Sequence, residues 1–241
     1  MKPSHGTGQH NLEIYDGNQD NVMVRLITFE GVEGCGKTTQ IRLAGEFLEQ
    51  RHIPVTMTAE PGGTPIGRRI REMLLHKSPD EDICSETEIL LFAAARAEHV
   101  RKVILPSLMA GKVVLCDRFF DATLAYQGFG RGLDIPFIKE MNEYASPSLK
   151  PGMTVLFDLP VEAGLARAMN RIALLKKTQS GDPEDRFEQE ALEFHKKVRE
   201  GYLSLAKAEP GRFKIVNAQD DIPVIHEQVC GLISNFLEIE Q

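Results

Sequence analysis

A glycine-rich stretch near the amino end, ITFEGVEGCGKTTQ at residues 27–40, constrains the fold of this chain more than any other feature. Residues 31–38 match G-x-x-x-x-G-K-[ST] at every fixed position, with an apolar, β-branched run before them and a helix-like stretch after them. Glycines let successive backbone N–H groups face a polyphosphate, and the N-terminus of the following helix adds partial positive charge. Both flanks disfavour a chance glycine-rich turn, so the motif predicts a phosphate-binding loop.

This loop also predicts which residues bind a nucleotide and its metal ion. Lys37 is expected to reach the β- and γ-phosphates, and the Thr38 hydroxyl is expected to hold Mg²⁺. An apolar run at 113–116 ends on Asp117 in a Walker-B pattern, and a carboxylate there could hold Mg²⁺ directly or through water. The predicted nucleotide-binding residues are Gly31, Val32, Glu33, Gly34, Cys35, Gly36, Lys37, Thr38 and Thr39.

Strand-like and helix-like stretches alternate along the chain. The alternation predicts an α/β fold of the P-loop NTPase type, a three-layer arrangement in which about five parallel strands form a sheet with helices on both faces. We expect one domain at 22–241 with a short lid at about 171–186, and a disordered extension at 1–21. Strands are predicted near residues 22–29, 55–58, 112–117, 153–158 and 213–216.

Local patterns predict where three of the helices begin. Ser85 and Glu88 have the spacing of a capping box, which would open a helix that continues to about Ala110. Asp134 is expected to cap the next helix. A charged amphipathic helix is expected over 185–208.

The overall composition excludes several classes of protein. The formal net charge of −7 over 241 residues disfavours a general nucleic-acid binder. No apolar run approaches the length of a membrane span, so we expect no membrane partner. The four scattered cysteines have no metal-binding spacing and favour a reduced, cytoplasmic compartment.

Cationic side chains favour phosphoryl transfer over other nucleotide-dependent functions. Two phosphates that are brought together each need cations to balance their charge. The sequence has no guanine-reading N-K-x-D segment, and a motor or transporter ATPase would need a longer chain. A small kinase with a small anionic acceptor is therefore favoured by elimination. The candidate cations besides Lys37 are Arg68, Arg69, Arg71, Arg118, Arg167, Arg171, Lys176 and Lys177.

Five segments, in their order and separations, resemble the bacterial thymidylate kinase family: FEGVEGCGKTTQ, EPGGT, LLFAAAR, DRF and TLAYQGFGRG. The resemblance extends from about residue 22 to the C-terminus. It implies an enzyme that transfers the γ-phosphate of ATP to the 5′-phosphate of dTMP, uses Mg²⁺ and forms a homodimer. The apolar residues of the 85–110 helix could supply the dimer interface or could belong to the core.

The resemblance also implies how dTMP would bind. Phe92, which the residues alone would equally assign to the core, would stack on the thymine ring. Arg96, four residues later on the same helical face, would donate to a thymine carbonyl. Arg71 and Arg118 would hold the dTMP phosphate, which suits the guanidinium fork. The predicted substrate-binding residues are Glu33, Pro61, Arg71, Phe92, Arg96, Arg118, Thr123, Tyr126 and Gln127.

Four of these residues are expected to lie around the base edge and the sugar. By the resemblance, Thr123 and Gln127 would reach the base edge, and Tyr126 would pack against the deoxyribose and crowd out a 2′-hydroxyl. Glu33, an acid inside a phosphate-binding loop, would approach the sugar 3′-hydroxyl or its bound water; the alternative is a solvated side chain that points outward.

The loop sequence indicates where the catalytic cation lies. In the family a basic residue lies in the phosphate loop or in the lid, and residues 32–35 contain none here. Arg171 is therefore the first candidate, and Lys176 and Lys177 are the next. The predicted catalytic residues are Lys37, Arg118, Arg171 and Glu33.

Two features depart from the family pattern. Ala59 precedes EPGG, where many relatives have Arg, so one phosphate contact is expected to be missing or moved. The lid is longer than in short-lid relatives, and Arg186 beyond it could pair with Asp182 or Asp185. Two rival functions also stay open: a P-loop kinase for another small acceptor, and a switch or assembly protein that binds ATP without one.

Overall fold

The described part of the chain is built on a parallel β-sheet, as represented in a computed structural model. The structure describes residues 25–76, 83–178 and 185–239, without the side chains of 176–178. The strands are β1 (Leu26–Glu30), β2 (Val55–Ala59), β3 (Val113–Asp117), β4 (Met153–Asp158) and β5 (Phe213–Asn217). Their order in the sheet is β2-β3-β1-β4-β5, with every neighbouring pair parallel, which confirms the predicted α/β fold.

Helices connect consecutive strands. The helices are α1 (Lys37–Gln50), α2 (Pro65–Leu75), α3 (Ser85–His99), α4 (Leu105–Met109), α5 (Phe120–Thr123), α6 (Ile135–Ala145), α7 (Val161–Thr178), α8 (Leu192–Ala208) and α9 (Ile222–Leu237). A π-helical turn, Val100–Ile104, joins α3 to α4, and a second, Leu124–Gly130, continues α5.

The central strand β1 is buried on both faces because helices cover both sides of the sheet. Leu26 packs in a cluster with Ile104 and Leu108, from the helical segment that precedes β3. Ile27 and Phe29, on the opposite face, belong to the larger core with side chains of α1, α8 and α9. A strand buried on both faces is expected to be a near-continuous apolar run, as this one is.

The sheet brings the candidate site residues to one edge. Phe29 pairs with Asp117 at the carboxyl ends of β1 and β3, and Ala59 of β2 pairs with Asp117 from the other side. The Arg118 backbone N–H donates to the Phe29 carbonyl at 3.1 Å. The phosphate loop after β1 and the acid that ends β3 therefore lie side by side, which is the usual ligand position in open α/β sheets.

The predicted capping box is wrong. Cys84 precedes the first helical residue of α3, and no side chain caps this helix. Glu88 is fully buried and its carboxylate accepts hydrogen bonds from Gln127, Arg131 and Arg186. Pairing with two guanidinium groups outweighs the local capping interaction, which is worth about 1 kcal/mol at most sites.

Other predicted boundaries are partly confirmed. Asp134 caps α6 as predicted and accepts from the Phe137 N–H at 2.8 Å. The helix expected over 185–208 begins only at Leu192, and residues 186–190 form turns and a bend. The predicted extension at 1–21 and lid residues 179–184 lie outside the described residues. No helix in the described ranges is both long enough and apolar enough to cross a lipid bilayer.

Candidate active site

A cavity of about 460 Å³ opens where β1, β2 and β3 end. It brings together most of the side chains that the sequence predicts for binding and catalysis. In particular, the predicted acceptor residues and the predicted ATP-binding lysine face one shared space. The predicted residues that line it are Glu33, Gly34, Lys37, Thr38, Pro61, Arg71, Phe92, Arg96, Asp117, Arg118, Thr123, Tyr126, Gln127 and Arg171.

The phosphate loop wraps tightly because three of its glycines, Gly31 (φ 140°), Gly34 (φ 68°) and Gly36 (φ 94°), adopt positive φ. Gly34 also lies so close to α7 that a Cβ there would come within 2.1 Å of the Gly164 carbonyl oxygen. Gly36 precedes the first residue of α1. L-residues other than glycine rarely adopt this conformation, so the backbone requires glycine at these positions. The side chains of Val32 and Cys35 are buried in the core.

The loop lysine is held inside the loop. Lys37 Nζ donates to the carbonyls of Gly31 and Val32, at 3.0 Å each, and lies 3.3 Å from Cys35 Sγ. Its ammonium group thus lies next to the backbone that would carry a polyphosphate, which is the position that the motif predicts.

The two predicted metal ligands are neighbours. Thr38 Oγ1 donates to Asp117 Oδ2 at 3.1 Å, and both residues line the cavity. A hydroxyl and a carboxylate are hard oxygen ligands of the kind that Mg²⁺ prefers. The described residues contain no cluster of three or more His, Cys, Asp or Glu that could bind a metal alone. This pair therefore fits an ion that takes its remaining ligands from water and nucleotide phosphates.

Arg118 is fixed by its backbone and by its partners. It has φ of 65°, an uncommon conformation for a residue other than glycine, directly after β3. Its Nη1 donates to the Gly31 carbonyl at 3.0 Å and to the Tyr202 hydroxyl at 3.1 Å, and its Nη2 donates to Glu33 at 3.2 Å. The guanidinium also lies 4.7 Å from the centre of the Tyr126 ring. A cation held this firmly is suited to bind an anionic acceptor.

Glu33 is a buried acid that organises its neighbours. Its Oε1 accepts from the Tyr126 hydroxyl and from Arg118, and its Oε2 lies 3.1 Å from His195 Nδ1. Burial raises the pKa of Glu33. The hydrogen bond with His195 and the charges of Arg118 and Lys37 have a larger effect in the opposite direction and lower the pKa to about 2. The carboxylate is thus ionised and does not point outward into solvent, as one sequence interpretation allowed.

A second buried acid lies behind the first, and the sequence analysis missed it. Glu30, at the end of β1, accepts from the Phe119 backbone N–H and from the Tyr202 hydroxyl, each at 2.7 Å. Burial and the charge of Asp121 raise the pKa of Glu30 to about 8. Glu30 therefore orients Tyr202, which in turn accepts from Arg118. The single signal in the sequence was an acid within an apolar strand.

Aromatic rings form one wall of the cavity. The Phe92 ring is half-buried and lies 6.3 Å from Phe187, which meets Tyr126 edge-on at 5.5 Å. An exposed ring face that opens into a cavity is suited to stack on a planar base. Phe187 was not predicted, because it follows the lid in a segment that the sequence analysis assigned to a helix.

Arg96 is bound to the protein more completely than the sequence predicts. It is 2% exposed, and its Nε donates to Glu60 at 2.8 Å. Its Nη1 donates to Asn142 at 2.6 Å, and its Nη2 donates to Thr123 at 2.8 Å and to the Phe119 carbonyl at 3.3 Å. Four of the five guanidinium N–H groups thus have protein partners, which leaves one for a base.

Two further predicted base and phosphate contacts also have protein partners. Gln127 Nε2 donates to Glu88 at 2.8 Å. Arg71 Nη1 donates to the Pro61 carbonyl at 3.0 Å, at the rim of the cavity. These contacts hold both side chains in place beside the cavity.

The predicted catalytic arginine lies at the cavity edge on α7. Arg171 is 56% exposed in its side chain, and its Nη2 lies 3.3 Å from Glu188 Oε1. Burial, followed by the nearby charge of Glu33, raises the pKa of Glu188. The side chains of Lys176 and Lys177, the next candidates, lie outside the described residues. Arg186 donates to Glu88 at 2.6 Å; its expected partner Asp182 is also outside them.

Comparisons with known proteins identify the family of this chain. A sequence model described as thymidylate kinase matches residues 29–229. A thymidylate kinase from Syntrophus aciditrophicus (strain SB) is 56% identical over 208 residues, 86% of this chain and 93% of that protein. One from Syntrophotalea carbinolica is 49% identical over 215 residues, 89% and 97% of the two chains. A crystal structure of thymidylate kinase from Ehrlichia chaffeensis superposes with a TM-score of 0.66 and 32% identity, over 86% of this chain and 97% of that one. The chain belongs to the thymidylate kinase family.

Proposed function

We propose that this chain is a dTMP kinase, which transfers the γ-phosphate of ATP to the 5′-phosphate of dTMP to give dTDP. One observation carries the proposal beyond family membership. The phosphate-loop lysine, two arginines suited to an acceptor phosphate and an aromatic wall suited to a base all line one cavity. Phosphoryl transfer needs this arrangement, because donor and acceptor phosphates must meet in line and out of water.

The donor side is assigned to the loop. Its backbone N–H groups and Lys37 would bind the β- and γ-phosphates of ATP, helped by the N-terminus of α1. Thr38 and Asp117 would hold Mg²⁺, which neutralises charge on the β- and γ-phosphate oxygens when it is bound. The 3.1 Å contact between the Thr38 hydroxyl and the Asp117 carboxylate supports this assignment, since the two oxygens lie close enough together to bind one ion.

The acceptor side is assigned to the opposite part of the cavity. Arg71 and Arg118 would bind the dTMP phosphate, and Phe92 would stack on thymine. Tyr126, fixed by its hydrogen bond to Glu33, would pack against the deoxyribose. The acceptor phosphate is ionised near neutral pH because its second pKa is about 6, so no strong general base is required.

The cation that stabilises the transferring phosphoryl group is assigned to Arg171. Loop residues 32–35 contain no base, and Arg171 is an arginine of α7 at the cavity edge. Its exposure and its single hydrogen bond among the described residues, to Glu188, leave the guanidinium able to swing toward a γ-phosphate. An arginine that reaches the transferring phosphoryl group can raise kcat by about 10³- to 10⁵-fold.

We further propose a homodimer located in the cytoplasm. The exposed apolar side chains of Ile66, Met73 and Leu90, on α2 and α3, support a surface covered by a second copy. Sedimentation analysis measures the assembly, and a monomer at micromolar concentration would contradict the dimer.

The cytoplasmic location is supported by the cysteines. All four are free thiols, as expected in a reducing compartment.

A coupled ADP-release assay tests the reaction. We expect turnover with ATP and dTMP, much weaker turnover with dUMP, dCMP or dGMP, none with thymidine, and loss of turnover when Mg²⁺ is chelated. Preference for another monophosphate or a nucleoside would identify a different small-acceptor kinase. ATP hydrolysis that dTMP does not change would favour the switch protein instead.

A further inference from the structure

A buried histidine touches the Glu33 carboxylate from outside the cavity. His195 lies on α8, is fully buried, and is not among the described residues that line the cavity. Its Nδ1 lies 3.1 Å from Glu33 Oε2. We propose that His195 is a positioning residue for the kinase reaction, because it holds Glu33 in the rotamer that orders Arg118 and Tyr126 around dTMP. This inference rests on the proposed function.

The direction of the hydrogen bond follows from the charge on Glu33. Burial raises the Glu33 pKa, while its hydrogen bonds and the nearby cations lower it to about 2, so the carboxylate is ionised at neutral pH. An ionised carboxylate only accepts hydrogen bonds. His195 Nδ1 therefore carries a hydrogen and donates it to Glu33 Oε2.

Packing alone does not account for a histidine at this position. The second ring nitrogen, Nε2, is buried and has no hydrogen-bond partner among the described residues. A buried polar atom without a partner destabilises the folded state, and an apolar side chain of similar size would avoid that cost. The described polar contact of His195 is with Glu33, so that contact is the feature that requires a histidine.

The hydrogen bond between His195 and Glu33 affects the acceptor side of the cavity through the other carboxylate oxygen of Glu33. Glu33 Oε1 accepts from the Tyr126 hydroxyl and, at 3.2 Å, from Arg118 Nη2. With Oε2 fixed by His195, the carboxylate presents Oε1 in one orientation to both partners. Lys37, on the donor side, is held separately by loop carbonyls. Loss of the His195 donor should therefore weaken dTMP binding and leave ATP binding largely unchanged.

The hydrogen bond also affects how Glu33 titrates. Removal of a donor to the ionised carboxylate takes away one of the interactions that lower its pKa, so the pKa rises. In a carboxyl NMR titration, Glu33 should then protonate at higher pH in His195→Leu than in the wild type, whereas the acidic limb of kcat/KM is set by the dTMP phosphate, whose second pKa is about 6. The charged and titratable groups that face Glu33 are His195 on α8, Arg118 after β3, Tyr126 in the second π-helical turn, Lys37 on α1 and Glu188 before α8.

Three variants separate positioning from packing. His195→Leu removes the donor, and His195→Asn retains a donor the same number of bonds from Cα as Nδ1. Val198→Ala, at a fully buried position one turn later on α8, removes packing without touching Glu33. For His195→Leu we expect KM for dTMP to rise about tenfold, as for loss of one charge-assisted hydrogen bond, with KM for ATP and kcat within about twofold. His195→Asn should recover most of the loss.

The outcomes distinguish this inference from the proposed function. An active wild-type enzyme whose His195→Leu variant keeps both the wild-type KM for dTMP and the wild-type titration of Glu33 overturns the inference alone. Equal changes in His195→Leu, His195→Asn and Val198→Ala also overturn it, because they indicate packing. A wild-type protein that does not phosphorylate dTMP overturns the proposed function, and the inference with it.

Discussion

At the scale of single residues, the proposed reaction uses one arginine that is held in place, Arg118, and one that can move, Arg171. Arg118 has three described hydrogen-bond partners and a positive φ, so its guanidinium group is held in one position. Arg171 has one described partner and a mostly exposed side chain. Binding of an acceptor benefits from the first kind of cation, whereas charge that develops only in the transition state can be met by the second.

This division predicts that Arg171→Ala damages catalysis far more than binding. We expect kcat to fall about 10³-fold, the lower end of the effect of an arginine that reaches the transferring phosphoryl group. The dissociation constant for dTMP, measured by calorimetry, should change less than about threefold, because Arg118 remains. Arg42→Ala, an exposed arginine on α1, is the matched control and should behave as wild type. An unchanged kcat in Arg171→Ala would refute the role.

Residue roles were predictable from the sequence where a motif defines them locally. Lys37, Thr38 and Asp117 follow from two short patterns, and the structure brings all three to one cavity. His195 and Tyr202 were missed because their partners Glu33 and Glu30 lie 162 and 172 residues away in the chain. A hydrogen bond between residues so far apart in the chain forms only in the folded structure, so no local sequence pattern can predict it.

Elements show the same limit at their boundaries. Apolar runs predicted all five strands, and most clearly β1, β3 and β4, because burial on both faces of the sheet requires consecutive apolar residues. The helix α3 begins at Ser85, as predicted, but its capping was mispredicted, because Glu88 binds Arg186, 98 residues later, and does not cap its own helix. The short turns at 186–190 replaced a predicted helix for a related reason. Arg186 donates to the Leu74 carbonyl at 3.1 Å, which fixes this segment against α2.

Glu88 therefore connects elements, and its removal should loosen them together. Glu88→Ala leaves two buried or half-buried guanidinium groups, Arg131 and Arg186, without this carboxylate. We expect the free energy of unfolding to fall by about 3–5 kcal/mol, the usual effect of breaking a buried ion pair. Urea denaturation measures it. Glu86→Ala, at an exposed position one half-turn earlier on α3, should change stability by less than about 0.5 kcal/mol.

At the scale of the whole molecule, a chain of net charge −7 concentrates cations around one cavity. The same region also buries two acids whose pKa values move in opposite directions. Glu33 is held near 2 and Glu30 near 8, because cations and donors surround the first while burial and Asp121 dominate the second. The free energy of unfolding should therefore depend on pH in two separate ranges, an acidic one set by Glu33 and a near-neutral one set by Glu30.

The neutral part can be assigned to Glu30. Between its ordinary pKa of 4.5 and its folded value of about 8, the folded protein holds a proton on Glu30 that the unfolded chain has lost. Stability from this group is therefore present at low pH and falls as pH rises through that window, by about 1.4 kcal/mol per pH unit. The contribution of Glu33 has the opposite sign and is lost below about pH 4.5, so the two do not overlap.

Glu30→Gln removes this titration while its side-chain carbonyl can still accept from the Phe119 N–H. Urea unfolding of both proteins across pH 5 to 8 should give a wild-type curve that falls with pH relative to the variant, since titrating groups that do not interact with Glu30 cancel in the difference and leave the titration of Glu30 with its neighbour Asp121. A difference that stays constant across this range would mean that Glu30 is ionised throughout it. Cations such as Arg118 would then outweigh burial at the end of β1.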